Sequence, residues 1–178
     1  VNPAYLVDGI TEQRFVQSVC VGSPVRITNL NGNTVSAAAI AKRIASIVRL
    51  WKGRHYPIVV LVDLEKRDCS AESFAAAILQ CIRDGGLNDD VHVSVVDRMI
   101  ENWMIADPDL WPDFQLKNSV DGFSGATELK RMMPSYDKAA HGPDLLRRSR
   151  ASEIAKRSVT FRAMVIKLEG LPCEWMNR

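Results

Sequence analysis

No apolar run in this chain approaches the roughly 18 residues that a membrane span requires, so no membrane segment is expected. No CxxC pair is present. The four cysteines (Cys20, Cys69, Cys81 and Cys173) are scattered, and are expected to be reduced thiols, mostly core filler, in a cytoplasmic protein. The three histidines (His55, His92 and His141) lie far apart in sequence, which argues against a zinc site. Internal repeats and low-complexity tracts are lacking. No secretory leader is read in the sequence, which opens at Val1 rather than Met, and residues ahead of Val1 are allowed for.

What is there resembles an ordinary folded chain: 178 residues, 47% hydrophobic and 25% charged. That length suits one domain. The net charge of +2 says little, but its distribution says more. Residues 130–178 carry 11 Lys and Arg against 5 Asp and Glu, while residues 1–129 carry 12 against 16. The basic back end is either a solvated helical surface or a phosphate-binding one.

Residues 4–7 form a short buried strand, and Thr11 can cap a helix that runs to about Cys20, with Glu12 in its first turn. Residues 24–32 alternate apolar and polar up to a turn at Asn31-Gly32, a second strand. Residues 35–52 predict a helix with Ile40, Ile44, Ile47, Val48 and Trp51 on one stripe. Residues 57–63 are continuously apolar up to Asp63, as in a strand covered on both faces. Ser70 opens a helix closed by Gly85-Gly86, residues 91–97 form a fourth strand, and residues 99–107 a short helix stopped by Pro108. Helices are expected at about 126–133, 143–156 and 158–169.

Strands alternating with helices predict an α/β fold: a mostly parallel four-stranded sheet flanked by helices. Residues 1–125 form the core and residues 126–178 a helical, basic C-terminal extension packed on it, one domain in all.

Three strands end in acids: Asp8, Asp63 with Glu65 beyond it, and Asp97 with Glu101 beyond it. In an open parallel sheet the carboxyl ends share one edge, where ligands bind. If the backbone stays extended past Asp63, Glu65 faces the same way. Clustered carboxylates repel unless a cation separates them, and Mg²⁺ or Mn²⁺ favours oxygen ligands. Gly9 would then allow close approach. The plainer alternative is that each acid caps the helix after its strand. Trp103 shares an apolar face with Ile100 and Met104 and belongs to the core rather than to a base-stacking platform. Asp107 either ends its helix or joins the site. Lys138 and His141 are candidates to reach a phosphate, whereas Arg147, Arg148 and Arg150 read as a solvated face.

A phosphoacceptor receiver domain would need an acidic pair after the first strand and a lysine after a fifth. A haloacid-dehalogenase phosphatase would need Asp where Ile10 stands. Neither pattern is met.

"LVDGITEQRFV", "VVLVDLEKRD" and "MIENWMIAD" together resemble the small bacterial Toprim-like proteins, whose topoisomerase–primase domain also occurs in OLD-family nucleases. The first is similar to the motif VEG-x-T/S-E, the second to Asp-x-Asp, the third to (E/I)E-x-W-x-x-A-D. The tail from Tyr136 through Phe161 is similar to the same group. The resemblance implies a Toprim-like (Rossmannoid) sheet with a divalent-metal site. It implies Asp8 as general acid/base, Asp63 and Glu65 as metal ligands, and Glu101 as a further ligand. Asp8 stands where the family carries Glu. It is one methylene shorter, about 1–1.5 Å of reach, and a misplacement near 1 Å can cost on the order of 10²-fold in rate.

The expectation is a metal-dependent nuclease, using Asp8, Glu101 and Lys138 catalytically and Asp8, Asp63, Glu65 and Glu101 for Mg²⁺ or Mn²⁺. Its basic C-terminal part would hold DNA or RNA, and the resemblance implies a link to phage defence. The alternative is a catalytically weak Toprim-fold protein that binds another protein in a defence or toxin–antitoxin system.

Overall fold

The computed structural model describes residues 2–30, 32–115, 118–171 and 173. Four parallel strands, β1 (Ala4–Val7), β2 (Val25–Ile27), β3 (Ile58–Asp63) and β4 (Val91–Val96), form one sheet in the order β2-β1-β3-β4. The helices among the described residues are α1 (Ile10–Val19), α2 (Ala37–Trp51), α3 (Ala71–Asp84), α4 (Glu101–Met104), α5 (Gly125–Met132), α6 (Lys138–Arg148), α7 (Ala151–Arg157) and α8 (Val159–Lys167). None is long and apolar enough to cross a membrane.

Both faces of the sheet are covered, which is why β3 is buried at all six positions. Side chains alternate along each strand. Tyr5, Val7, Val59 and Leu61 pack with α1 and the C-terminal helices on one face. Ala4, Leu6, Ile58, Val60 and Val62 pack with α2 and α3 on the other. The helical extension thus shares its core with the strands: Leu129, Leu146, Ile154 and Phe161 lie in the same cluster as Val7.

Several boundaries move for tertiary reasons. Thr11 does not cap α1. Gly9 holds that position, and the Thr11 hydroxyl donates to the Lys138 carbonyl at 3.0 Å. β2 stops at Ile27, where the Thr28 amide still reaches Val7 O before Asn29 turns the chain with φ 56°. The turn expected at Asn31 falls outside the described residues. The helix expected over 143–156 is two helices and begins earlier. Asp137 caps α6 by accepting from the Ala140 amide, so Pro143 lies inside the helix. Proline brings no amide hydrogen for Ala139 O, and Arg14 Nη1 donates to that carbonyl at 3.0 Å. The break between α6 and α7 comes at Arg150, whose amide and guanidinium both bind Asp107.

The cysteines depart from expectation. Cys20, at the end of α1, and Cys173 in the tail are joined as a disulfide across 153 positions, with Cα atoms 4.7 Å apart. Cys69 and Cys81 are free. Spacing in sequence could not show this pairing, because the sheet and α8 intervene between the partners. Cysteine usage therefore no longer argues for a reducing compartment.

Candidate functional site

The loop after β1 leads to α1 on one face of the sheet, and the loop after β3 leads to α3 on the other. The crevice between their carboxyl ends is the switch point where such sheets bind ligands. Asp8 and Asp63 stand there, both buried. Asp8 is bonded into the end of the sheet: Oδ2 accepts from the Asp63 amide at 2.8 Å and Oδ1 from the Thr28 hydroxyl at 3.3 Å.

Two more acids converge on this crevice. Glu12 lies in the first turn of α1 and Glu101 opens α4, and each is almost fully buried. The ammonium of Lys138, the first residue of α6, stands among them. It is 3.3 Å from Glu101 Oε2, 3.4 Å from Glu12 Oε1 and 3.7 Å from Asp63 Oδ2. Four elements thus deliver side chains to one point. The α1–α6 packing that places Lys138 depends on Gly142, since a Cβ there would lie 2.7 Å from Thr11 Cγ2. Glu101 is held by its neighbour: Asn102 donates to Asp97 O at 3.1 Å and accepts from the Gly125 amide at 2.8 Å.

Burial and mutual repulsion dominate the electrostatics. Burial pushes Asp8 up to about 7, with Glu12 and Glu65 adding repulsion against the bonds from Asp63 and Thr28. Asp63 is raised well above the ordinary range by burial, partly offset by Lys138. Burial disfavours the Lys138 charge, but Asp63, Glu12 and Glu101 outweigh it and hold its pKa above the usual lysine value.

Glu65 reaches the same crevice by a different route from the one expected. The strand ends at Asp63 and Glu65 adopts a left-handed backbone, φ 60°, with its amide bonded to Arg98 O. It lines a cleft of about 250 Å³ with Asp8, Gly9, Glu12, Asp63 and Lys138. Arg67 fixes this loop by donating to the carbonyls of Leu64, Gly32 and Val35. Gly9 has an extended backbone that any residue adopts, and a Cβ there would sit 3.0 Å from Glu12 Oε2, so that side chain would have to give by a few tenths of an ångström.

Other candidates lie elsewhere. Asp97 is raised by burial and by Asp121, which caps the start of α8 through Ser158 and Val159. Asp107 is buried under Arg150, so Arg150 belongs to a structural ion pair rather than to a solvated face. His141 Nδ1 accepts from the Asp137 amide, a local cap. Trp103 is core, edge-on to Phe161 at 4.8 Å. Much of the basic C-terminal charge is locally neutralised. Arg131 pairs with Glu128, Arg147 and Arg148 with Asp144, and Lys156 and Arg157 with Glu153.

Glu12 was legible only as a helix-start acid. The stronger signal was periodicity: Glu12, Phe15, Val16 and Val19 share one buried stripe of α1. An acid on an apolar stripe calls for a partner.

The oxygen donors fit a hard divalent cation. Among the described residues, both Glu12 carboxylate oxygens and Glu101 Oε2 are buried with no hydrogen-bond partner. Among the described residues, no group of three or more His, Cys, Asp or Glu side chains is placed to hold a metal ion. The acids are instead spread around the Lys138 ammonium. No family model, curated protein or solved structure matches the chain.

Proposed function

We propose that this chain is a Toprim-like, Mg²⁺- or Mn²⁺-dependent nuclease that cleaves phosphodiester bonds in DNA or RNA. The observation that carries the proposal is the convergence of Asp8, Glu12, Asp63 and Glu101 at the carboxyl edge of a parallel sheet, with oxygens left without hydrogen bonds. Glu12, Asp63 and Glu101 would hold the cation, with Glu65 at the rim. Such a cation, when bound, polarises a phosphodiester and acidifies water. Asp8, with a pKa near neutrality, is suited to take and return a proton as general acid/base. Lys138 supplies positive charge for a phosphate. The basic C-terminal helices would contact the nucleic-acid backbone, and a role in phage defence follows from the resemblance.

A second reading, a protein-binding member of the same fold with little catalysis, is favoured by two observations. The Asp8 carboxylate is already bonded to Asp63 and Thr28, and many C-terminal cations are paired with acids. Incubation with a panel of DNA and RNA, with and without Mg²⁺ or Mn²⁺, separates the two. The nuclease reading expects metal-dependent cleavage that falls by at least about 10²-fold in Asp8→Asn, the scale of lost acid–base catalysis, and that also falls in Asp63→Asn, which removes a cation ligand. If reach limits Asp8, Asp8→Glu cleaves faster than wild type. No cleavage of any substrate by wild type or Asp8→Glu transfers the conclusion to the binding reading.

A further inference from the structure

Lys138 is the unusual member of the crevice. A lysine that only binds substrate phosphate would be expected at the mouth, yet its ammonium stands between Glu12, Asp63 and Glu101, 3.3–3.7 Å from each. The second observation is the state of those acids. Glu12 is 2% exposed and neither of its carboxylate oxygens has a hydrogen bond. Among the described residues, its ion-pair partner is the Lys138 ammonium.

The backbone under Lys138 is firmly held. Asp137 caps its helix, the Thr11 hydroxyl binds its carbonyl, and Tyr136 is buried beside Met104 with its hydroxyl directed to Sδ at 3.5 Å. The side chain is 41% exposed and lines the open cleft. A fixed helix end carrying a long side chain at an open cleft leaves room for the ammonium to swing from the acids to the cleft mouth.

We infer that Lys138 is a tethered counter-ion that competes with the divalent cation for Glu12, Asp63 and Glu101. The inference rests on the nuclease reading for its metal. Mg²⁺ binds oxygens at about 2.0–2.1 Å and demands near-octahedral geometry, whereas the three carboxylates are arranged around an ammonium at longer range. A dication and an ammonium within about 4 Å of each other repel strongly in a partly buried site. Cation entry therefore sends the ammonium outward. Displacement moves the positive charge to the rim of the cleft, where a phosphate would enter, so metal binding and substrate recognition become coupled through one side chain. Without metal, the inward ammonium keeps the acids from repelling one another.

Two measurements test this. Mn²⁺ and Mg²⁺ are titrated into wild type, Lys138→Met and Lys138→Arg, with binding followed by calorimetry and by paramagnetic resonance of free Mn²⁺. Lys138→Met should bind at least about tenfold more tightly than wild type, the scale of removing one full charge from a cation site, and should melt lower than wild type without metal. Lys138→Arg should gain nothing. In wild type, reductive methylation mapped by mass spectrometry should modify Lys138 several-fold faster with saturating Mg²⁺, a readout that does not depend on a variant folding. Equal or weaker metal binding by a folded Lys138→Met, or methylation unchanged or slowed by Mg²⁺, overturns the competition and leaves the nuclease reading standing. Failure of both wild type and Lys138→Met to bind either ion overturns both.

Discussion

Glu12 and Asp107 are both acids removed from water, and their surroundings differ completely. Asp107 accepts from the Arg150 amide, Nε and Nη2 and from the Asp109 amide. Burial works against its charge, but Arg150 outweighs burial and holds the pKa below the ordinary carboxylate value. Glu12 has an ammonium at 3.4 Å and no hydrogen bond. The first arrangement anchors a fold; the second leaves oxygens available to a ligand. Because the folded-state pKa of Asp107 is depressed, its stabilisation is complete above the unfolded value near 3.9 and is lost as pH falls through the folded value. Asp107→Asn should lower stability at pH 7, because it removes the charged acceptor of the Arg150 guanidinium and of the Arg150 amide. In denaturant titrations the gap between wild type and variant should narrow steadily below about pH 4.

Among the elements, α4 has only four residues, yet it presents Glu101. It is positioned from outside. Asn102 ties it to Asp97 O and to the first amide of α5, and Gly125 lets the two backbones meet: a Cβ there would lie 2.5 Å from Asn102 N and from Glu101 C. Gly125→Ala should force α5 away, cost at least about 1–3 kcal/mol as an overpacking change, and, on the proposed nuclease reading, weaken Mn²⁺ binding even at temperatures where the variant stays folded. Melting curves and metal titration on the same sample check both parts. The sequence disclosed elements whose signal is local. α2 follows its apolar stripe, α3 begins after the Ser70 cap, and β3 stands out as an unbroken apolar run. Features set by distant partners were not legible: Thr11 is drawn off by α6, Arg150 by Asp107, and Ala139 O, left without an amide by Pro143, is satisfied by Arg14. The acids at strand ends were readable because parallel topology places them without side-chain detail. Glu65 reached the cleft through a left-handed turn that alternation cannot foresee.

For the molecule as a whole, the C-terminal helices are part of the sheet's cover rather than an appendage. They supply Leu146, Ile154 and Phe161 to the core and Lys138 to the crevice. The disulfide adds a covalent constraint on top of this packing. Closing a loop of about 150 residues stabilises by up to about 5 kcal/mol in the chain-entropy account. Cys173→Ser should therefore melt well below oxidised wild type, and the difference should vanish when both are measured in reductant.

The same bond has a topological consequence. Residues 20 and 173 lie 153 positions apart, so the polypeptide between them is in effect a ring closed through sulfur. A ring can be opened once without falling apart. A protease that cuts any exposed loop inside it, such as the segment around the exposed Lys66 and Asp68, leaves both pieces joined through sulfur. On a gel run without reductant, the nicked molecule should migrate as one species, and two fragments should separate only after reduction.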